Sequence, residues 1–155
     1  MGVFGLLSNH KKITRLLLPN NKKIKIFQKT PTIDRSYFFK DATLQLNQYF
    51  NKQRISFNLQ IDLRLPDFYK KILYQISKIK YGETISCKEL ATKVGYPNSA
   101  RAVGSANAKN PLPLLIPCHR VIMNNGQIGG YADRDNLKRM LSNHEGVLQF
   151  EENVK

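Results

Sequence analysis

Asn110-Pro111-Leu112-Pro113-Leu114-Leu115-Ile116-Pro117-Cys118-His119-Arg120-Val121 sets three prolines around an apolar run and leads to a cysteine beside a histidine. Proline has no N–H to give a helix or a central strand, so neither element can run through this segment. The stretch is expected to be a rigid, extended, buried passage that delivers Cys118 to one place. A thiol next to an imidazole within apolar walls can serve as a nucleophile. It can equally be an inert core thiol, which is where most free cysteines lie. Taken alone, the pair leaves both readings open.

Upstream, Ser86-Cys87-Lys88-Glu89 fits a capping box, with Ser86 at the N-cap and Glu89 at N3. The spacing predicts a short helix through Leu90, Ala91 and Val94, ended by Gly95, and a second from about Asn98 to Lys109. Two short helices joined by a glycine-containing turn form the pattern of a helix-turn-helix, which many all-helical cores also show. Ala100, Ala102, Gly104, Ser105, Ala106 and Ala108 give the second helix almost no bulk; Arg101 is the one long side chain in its first turns. Such a helix suits tight packing in a core. It also suits close approach to a narrow DNA groove with one probe, the minor groove rather than the major.

Further upstream, Phe68, Ile72, Ile76 and Ile79 predict an amphipathic helix, and Pro66 marks a domain break between residues 1–65 and 66–155. The β-rich runs Val3–Leu7, Ile13–Leu18 and Lys23–Phe27 are separated by Ser8-Asn9-His10 and Asn20-Asn21, which predicts an antiparallel meander. Ser36 to Asn51 carries Phe39, Ala42, Leu46 and Phe50 at helical spacing, and Ile55–Ile61 alternates like an edge strand. The expected fold class is α+β: a small N-terminal antiparallel sheet with a helix, in a supporting role, then a mainly helical C-terminal domain containing the helix-turn-helix.

Composition bounds the rest. At 155 residues and 41% apolar, the chain can bury one sizeable core or two small ones. Its 25 basic and 11 acidic residues give a net charge of +14. That excess fits a polyanionic partner, nucleic acid first, but also fits a merely soluble Lys- and Asn-rich chain. Residues 1–66 hold 12 basic and 3 acidic side chains, and residues 67–155 hold 13 and 8, so phosphate attraction would be shared by both halves. Two cysteines, Cys87 and Cys118, exclude a disulfide framework and a CxxC zinc knuckle; His10, His119 and His144 are scattered, so no metal is expected. The apolar opening Met1–Leu7 is too short for a signal or membrane segment. A soluble cytoplasmic protein is expected, or a nuclear one in a eukaryote, with its thiols reduced.

The order of these elements resembles the O6-alkylguanine-DNA alkyltransferase family. Pro117-Cys118-His119-Arg120-Val121 follows Asn110-Pro111; then come Gly126, Gly129-Gly130-Tyr131, Lys138, Leu141 and Glu145. Upstream, Tyr81-Gly82-Glu83-Thr84, Leu90-Ala91, Gly95, Pro97 and Ala100-Arg101-Ala102-Val103-Gly104 match in register. The likeness is strong over roughly residues 66–147; residues 1–65 match in strand-then-helix layout only.

The resemblance implies a DNA-repair methyltransferase that acts once: the alkyl group of O6-alkylguanine in duplex DNA, with O4-alkylthymine as a further candidate, passes irreversibly to Cys118. An alkyl group at O6 lies inside the base stack, so the nucleotide must be flipped out. Arg101 is implied to fill the vacated space, with Ala100, Ala102, Gly104 and Ser105 close to the DNA through the minor groove. Asn110 is implied to be a hinge joining the recognition helix to the active-site turn. Glu145, His119 and a water would relay the proton from Cys118, Glu145 fixing the imidazole tautomer. Val121, Tyr131, Ala132 and Lys138 are implied around the substrate pocket, the Ala132 N–H facing the guanine oxygen. Arg120 is read as structural, holding the turn. The implied protein is a monomer without cofactor, partnered by double-stranded DNA.

Two positions depart from the family pattern. Cys87 stands where a DNA-facing tyrosine is usual, at a helix N-terminus, which favours thiolate. Ala132-Asp133-Arg134-Asp135 replaces a Ser- and Gly-containing wall of the alkyl pocket. Two other readings compete: a non-catalytic alkyltransferase-like lesion-binding protein, opposed by the presence of Cys118, and a cysteine hydrolase, opposed by the lack of any obvious oxyanion donors around the prolines.

Overall fold

A computed structural model describes residues 4–19, 37–129 and 135–147. The chain falls into two compact units: residues 1–64 with 111–115, and residues 65–110 with 116–155.

In the first unit, β1 (Gly5–Asn9) and β2 (Lys12–Leu17) form an antiparallel hairpin. The turn is His10-Lys11, both at positive φ (45° and 63°), so β1 runs through Ser8 and Asn9, which sequence reading had assigned to the turn. The register shifts between Leu7 and Ser8, which leaves Thr14 without a cross-strand partner, and its hydroxyl donates to the Leu7 carbonyl at 3.2 Å. Helix α1 (Tyr37–Phe50) follows, with Ala42, Leu46 and Tyr49 buried in one stripe; Tyr49 is more buried than the expected Phe50.

The expected edge strand at Ile55–Ile61 shrinks to a single parallel bridge between Ile13 and Ile61. Two facts explain this. Ile55 and Ile61 are exposed and only Phe57 and Leu59 between them are half-buried, so the alternation buries little of its apolar face. The Asn58 peptide groups are also taken by a side chain: Gln45 Oε1 accepts from the Asn58 N–H at 2.9 Å, and Gln45 Nε2 donates to its carbonyl at 3.3 Å. The third expected strand, Lys23–Phe27, lies outside the described residues.

The second unit opens with α2 (Asp67–Ser77), which buries Ile72, Leu73 and Ile76. A two-residue strand β3 (Ile85–Ser86) leads into α3 (Cys87–Lys93). The capping box is present: the Ser86 hydroxyl accepts from the Glu89 N–H at 3.2 Å, and the Glu89 carboxylate accepts from the Ser86 N–H at 2.8 Å. After Gly95, at φ +85°, the chain enters α4 (Ala100–Ala108), which packs on α2 and α3. A 3₁₀ turn at Cys118–Arg120 leads into β4 (Val121–Ile122), parallel to β3, and α5 (Asp135–His144) ends the unit. Its core joins Ile72, Ile76, Leu90, Val103, Ala106, Ile116, Val121 and Leu141. The result is α+β, with a small antiparallel sheet and a helix followed by a mainly helical region.

Candidate active site

The proline-rich passage is irregular, as its composition requires. Pro111–Leu115 belongs to the first unit, where the Pro111 carbonyl accepts from the Leu16 N–H at 2.9 Å and Leu112 and Leu114 are buried. Leu114 sits at φ +72°, a strained place for a branched residue. Residues on either side of the excursion are tied together: Asn110 Nδ2 donates to the Ile116 carbonyl at 2.8 Å. This bond joins the end of α4 to the approach to Cys118.

Pro117 (φ −78°, ψ 65°) is the centre of an inverse γ-turn closed by the Cys118 N–H on the Ile116 carbonyl at 2.8 Å. The Arg120 N–H then bonds the Pro117 carbonyl at 2.9 Å. From α4, Asn107 Nδ2 donates to the Cys118 carbonyl at 3.3 Å. The proline and these bonds hold the Cys118 backbone from both sides, and its side chain is buried.

Next to it lies a fully buried ionic cluster. His119 Nε2 is 2.8 Å from Glu145 Oε1. Arg120 donates from Nε to Glu145 Oε2 at 2.8 Å and from Nη2 to Oε1 at 2.9 Å, a bidentate pair. Its Nη1 donates to the Ile79 carbonyl at 2.5 Å, and its guanidinium lies 5.8 Å from the centre of the Tyr81 ring. Glu145 directly follows α5, and its N–H bonds Leu141 as one more helical turn would. Gly82 closes the site from the other side: its N–H points at Glu145 Oε2 at 3.4 Å, and at φ +77° any Cβ would stand 3.2 Å from the Glu145 carbonyl oxygen. Only glycine fits there without strain.

This arrangement dictates protonation. Burial pushes His119 below the ordinary histidine range, and the neighbouring Arg120 and Lys138 push the same way; Glu145 opposes them. The ring is therefore neutral at rest. A carboxylate paired with Arg120 can only accept, so Nε2 carries the proton and Nδ1 keeps its lone pair. Nδ1 is buried and makes no hydrogen bond to the described residues. Burial likewise raises the Tyr81 phenol, which donates to the His144 carbonyl at 3.1 Å. Arg120 is thus more than the holder of a turn: it binds both carboxylate oxygens of Glu145. Sequence reading assigned it a structural role because nothing in the order of residues shows which acid it meets 25 positions later.

Lys138 is buried, and its Nζ donates to the Val121 carbonyl at 2.6 Å and to the Ile128 carbonyl. It fastens α5 to the segment after the 3₁₀ turn, while the Val121 side chain is itself core. Tyr131 and Ala132 lie outside the described residues.

On α4, Val103 and Ala106 face inward, whereas Arg101, Ala102, Ser105 and Ala108 are exposed; Ala100 and Gly104 are half-buried. The small residues therefore point largely outward, away from the tight-packing alternative. Cys87 is half-buried, 4.0 Å from where a Cβ on Gly104 would stand. Its thiol is pushed up by burial, with Lys138 only partly offsetting this. The thiolate expected from its place at a helix N-terminus is therefore not favoured, because desolvation outweighs a dipole acting over one short helix.

Among the described residues, no group of three or more His, Cys, Asp or Glu is placed to hold a metal ion, and no helix is long and apolar enough to cross a membrane.

The chain resembles known proteins in sequence and fold. Residues 67–147 match the family model of the 6-O-methylguanine DNA methyltransferase DNA-binding domain, and residues 1–63 match that of its ribonuclease-like domain. A methylated-DNA--protein-cysteine methyltransferase of Methanosarcina barkeri is 38% identical over 154 residues, 99% of this chain and 92% of that protein. The crystal structure of Mycobacterium tuberculosis O6-methylguanine methyltransferase aligns with a TM-score of 0.82 at 35% identity, covering 97% of this chain and 90% of that one. The same organism's OGT in complex with DNA aligns with a TM-score of 0.76 at 34% identity, covering 90% and 84%.

Proposed function

The chain belongs to the O6-methylguanine DNA methyltransferase family, and we propose from that premise that Cys118 is its alkyl acceptor, with His119 and Glu145 as its proton relay. The protein is a methylated-DNA–protein-cysteine methyltransferase. It repairs DNA directly, moving the alkyl group of O6-alkylguanine to a cysteine of its own. The observation that carries the assignment of residues is the buried 2.8 Å bond between His119 Nε2 and Glu145, which leaves Nδ1, on the residue that follows Cys118, with its lone pair.

In this reading the Cys118 proton passes through a water to His119 Nδ1, and Glu145 stabilises the imidazolium that forms. Arg120 keeps Glu145 ionised and less basic, so the proton stays on the imidazole. The thiolate then attacks the alkyl carbon. A C–S bond forms, the C–O6 bond breaks, and its electron pair leaves on the guanine, which takes up a proton. The thioether is stable, and no described side chain is placed to hydrolyse it, so each molecule acts once.

The second unit carries both DNA contact and transfer, and the first supports it. Helices α3 and α4 act as a helix-turn-helix whose slender α4 enters the minor groove. Arg101 takes the place of the flipped nucleotide; its exposure on the outward face of α4 supports this. Asn110 couples that helix to Cys118. One chain holds every proposed residue, so a monomer suffices. A thiol nucleophile also calls for a reducing compartment, the cytoplasm or nucleus.

Intact-mass analysis after incubation with alkylated duplex tests the assignment. One alkyl mass per chain, mapped to the peptide bearing Cys118 and absent in Cys118→Ser, is the expected result. Binding without mass gain would instead identify a non-catalytic lesion-binding protein, and transfer by Cys118→Ser at the unmodified rate would falsify the nucleophile.

A further inference from the structure

Arg101, Ser105 and Lys109 are spaced four residues apart, so they share one side of α4. The last of them does not wave free. Lys109 Nζ is 3.2 Å from the Tyr69 hydroxyl, with its charge 5.1 Å from the centre of the same ring. Lys109 first, and Ser105 after it, hold the phenol below the ordinary tyrosine range. Tyr69 stands near the start of α2, which packs on α4. Ser105 and Lys109 are exposed. Among the described residues, no ion pair involves Lys109.

We propose that Tyr69, Lys109 and Ser105 form a preformed clamp for a DNA backbone phosphate at the C-terminal end of α4, outside the alkyl-transfer site. The inference rests on the DNA-repair reading above. An ammonium has three donors, of which the phenol uses one. The phenol accepts from Lys109 and keeps its own proton to give. A hydroxyl and a cation thus meet at one exposed point, on the side of α4 that also carries Ser105, and no described carboxylate pairs with the cation. Lys109 lies eight residues beyond Arg101, about 12 Å along the helix axis. The minor groove is roughly 6 Å wide, so a helix that crosses it with Arg101 inside has Lys109 past the groove, at the phosphate wall. The ring holds the lysine in place before DNA arrives, so less side-chain freedom remains to be lost on binding.

The blander account is that Lys109 simply complements the C-terminal end of α4 and packs on a tyrosine. A second pair allows the two to be told apart: Lys78 lies 4.3 Å over the Tyr74 ring, on the outward face of α2, where Tyr74 is 62% exposed.

The experiment measures undamaged-duplex affinity across a salt series for the full chain and for Lys109→Ala, Tyr69→Phe and Lys78→Ala. Transfer from free O6-benzylguanine and thermal stability are measured alongside. Lys109→Ala should lower the slope of log K against log salt by about 0.9, the release of one counterion fewer, with a deficit that shrinks as salt rises. Tyr69→Phe should weaken binding roughly threefold, one hydrogen bond, with the slope unchanged. Both should react with the free base at the unmodified rate, and Lys78→Ala should keep the full slope. Slopes and affinities of Lys109→Ala and Tyr69→Phe equal to those of the unmodified chain, or a loss of thermal stability alone, would overturn the clamp. Failure of the unmodified chain to react with the free base would instead overturn the repair reading beneath it.

Discussion

The two units bury polar groups of different kinds. The first buries Gln45, a neutral amide whose two ends meet the peptide groups of Asn58. The second buries His119, Arg120, Lys138 and Glu145, all ionisable and drawn from the Cys118–Arg120 turn and the α5 region. A neutral amide can replace lost peptide partners at little cost. Buried charges are expensive even when paired, and apolar residues of the same volume would commonly be as stable. The second unit keeps three such charges buried around a neutral imidazole, as the proposed relay requires.

Removing one partner of the ionic cluster should give the largest effect. Glu145→Gln leaves the Arg120 charge buried without its acid and should cost about 3–5 kcal/mol in denaturant unfolding. Alkyl transfer should slow roughly 100-fold or more, since the relay loses its anchor. A stable variant of unchanged rate would end the distinction between the two units. Next in size is Lys138→Met, which keeps the apolar stem but strands the Val121 and Ile128 carbonyls, a loss of roughly 1–3 kcal/mol. Gln45→Leu in the first unit should cost about 1–2 kcal/mol and leave the transfer rate alone. If it slowed transfer, the first unit would do more than support the second.

Acid provides a subtler probe of the same contrast. His119 titrates below the ordinary value of about 6.5, because burial outweighs the pull of Glu145. The base therefore stays neutral as pH falls past that point, and the transfer rate should hold there and decline only at lower pH. Stability should behave differently. The unfolded chain takes up the His119 proton near 6.5 and the folded chain does not, so this group's contribution is present above 6.5 and is lost as pH falls through the folded value. A rate that fell in step with a solvated histidine would contradict the buried relay.

The smallest effect is expected at Cys87. Cys87→Tyr places a hydroxyl beside α4 and should raise the rate on duplex DNA by up to roughly tenfold, one added hydrogen bond. The rate on free base should be unchanged. Because the Cys87 thiol is raised by burial, alkyl mass should map to the Cys118 peptide alone. Modification at Cys87, or a slower but folded Cys87→Tyr protein, would count against this view.

Much of the molecule was legible from local signals. Capping chemistry placed Ser86 and Glu89, three prolines forbade regular structure before Cys118, and helical spacing found α1, α2 and the pair α3 and α4. The misreadings came where local pattern met distant partners. Ile55–Ile61 alternates like a strand, yet a side chain 13 residues back took the hydrogen bonds a ladder needs. Cys87 occupies a helix start that favours thiolate, yet packing beside α4 desolvates it.

Sequence alone determined which groups could do chemistry here: one thiol beside one imidazole, in a backbone that proline holds rigid, since these follow from covalent structure and near-neighbour sterics. Only the tertiary structure decided their states. Glu145 reaches His119 across 26 positions, Arg120 takes the same carboxylate, and Gly82 leaves room for both. The bond to Glu145 then sets the tautomer of the base and burial its titration, because desolvation and charge pairing depend on what surrounds a group in space and not on what stands next to it in the chain.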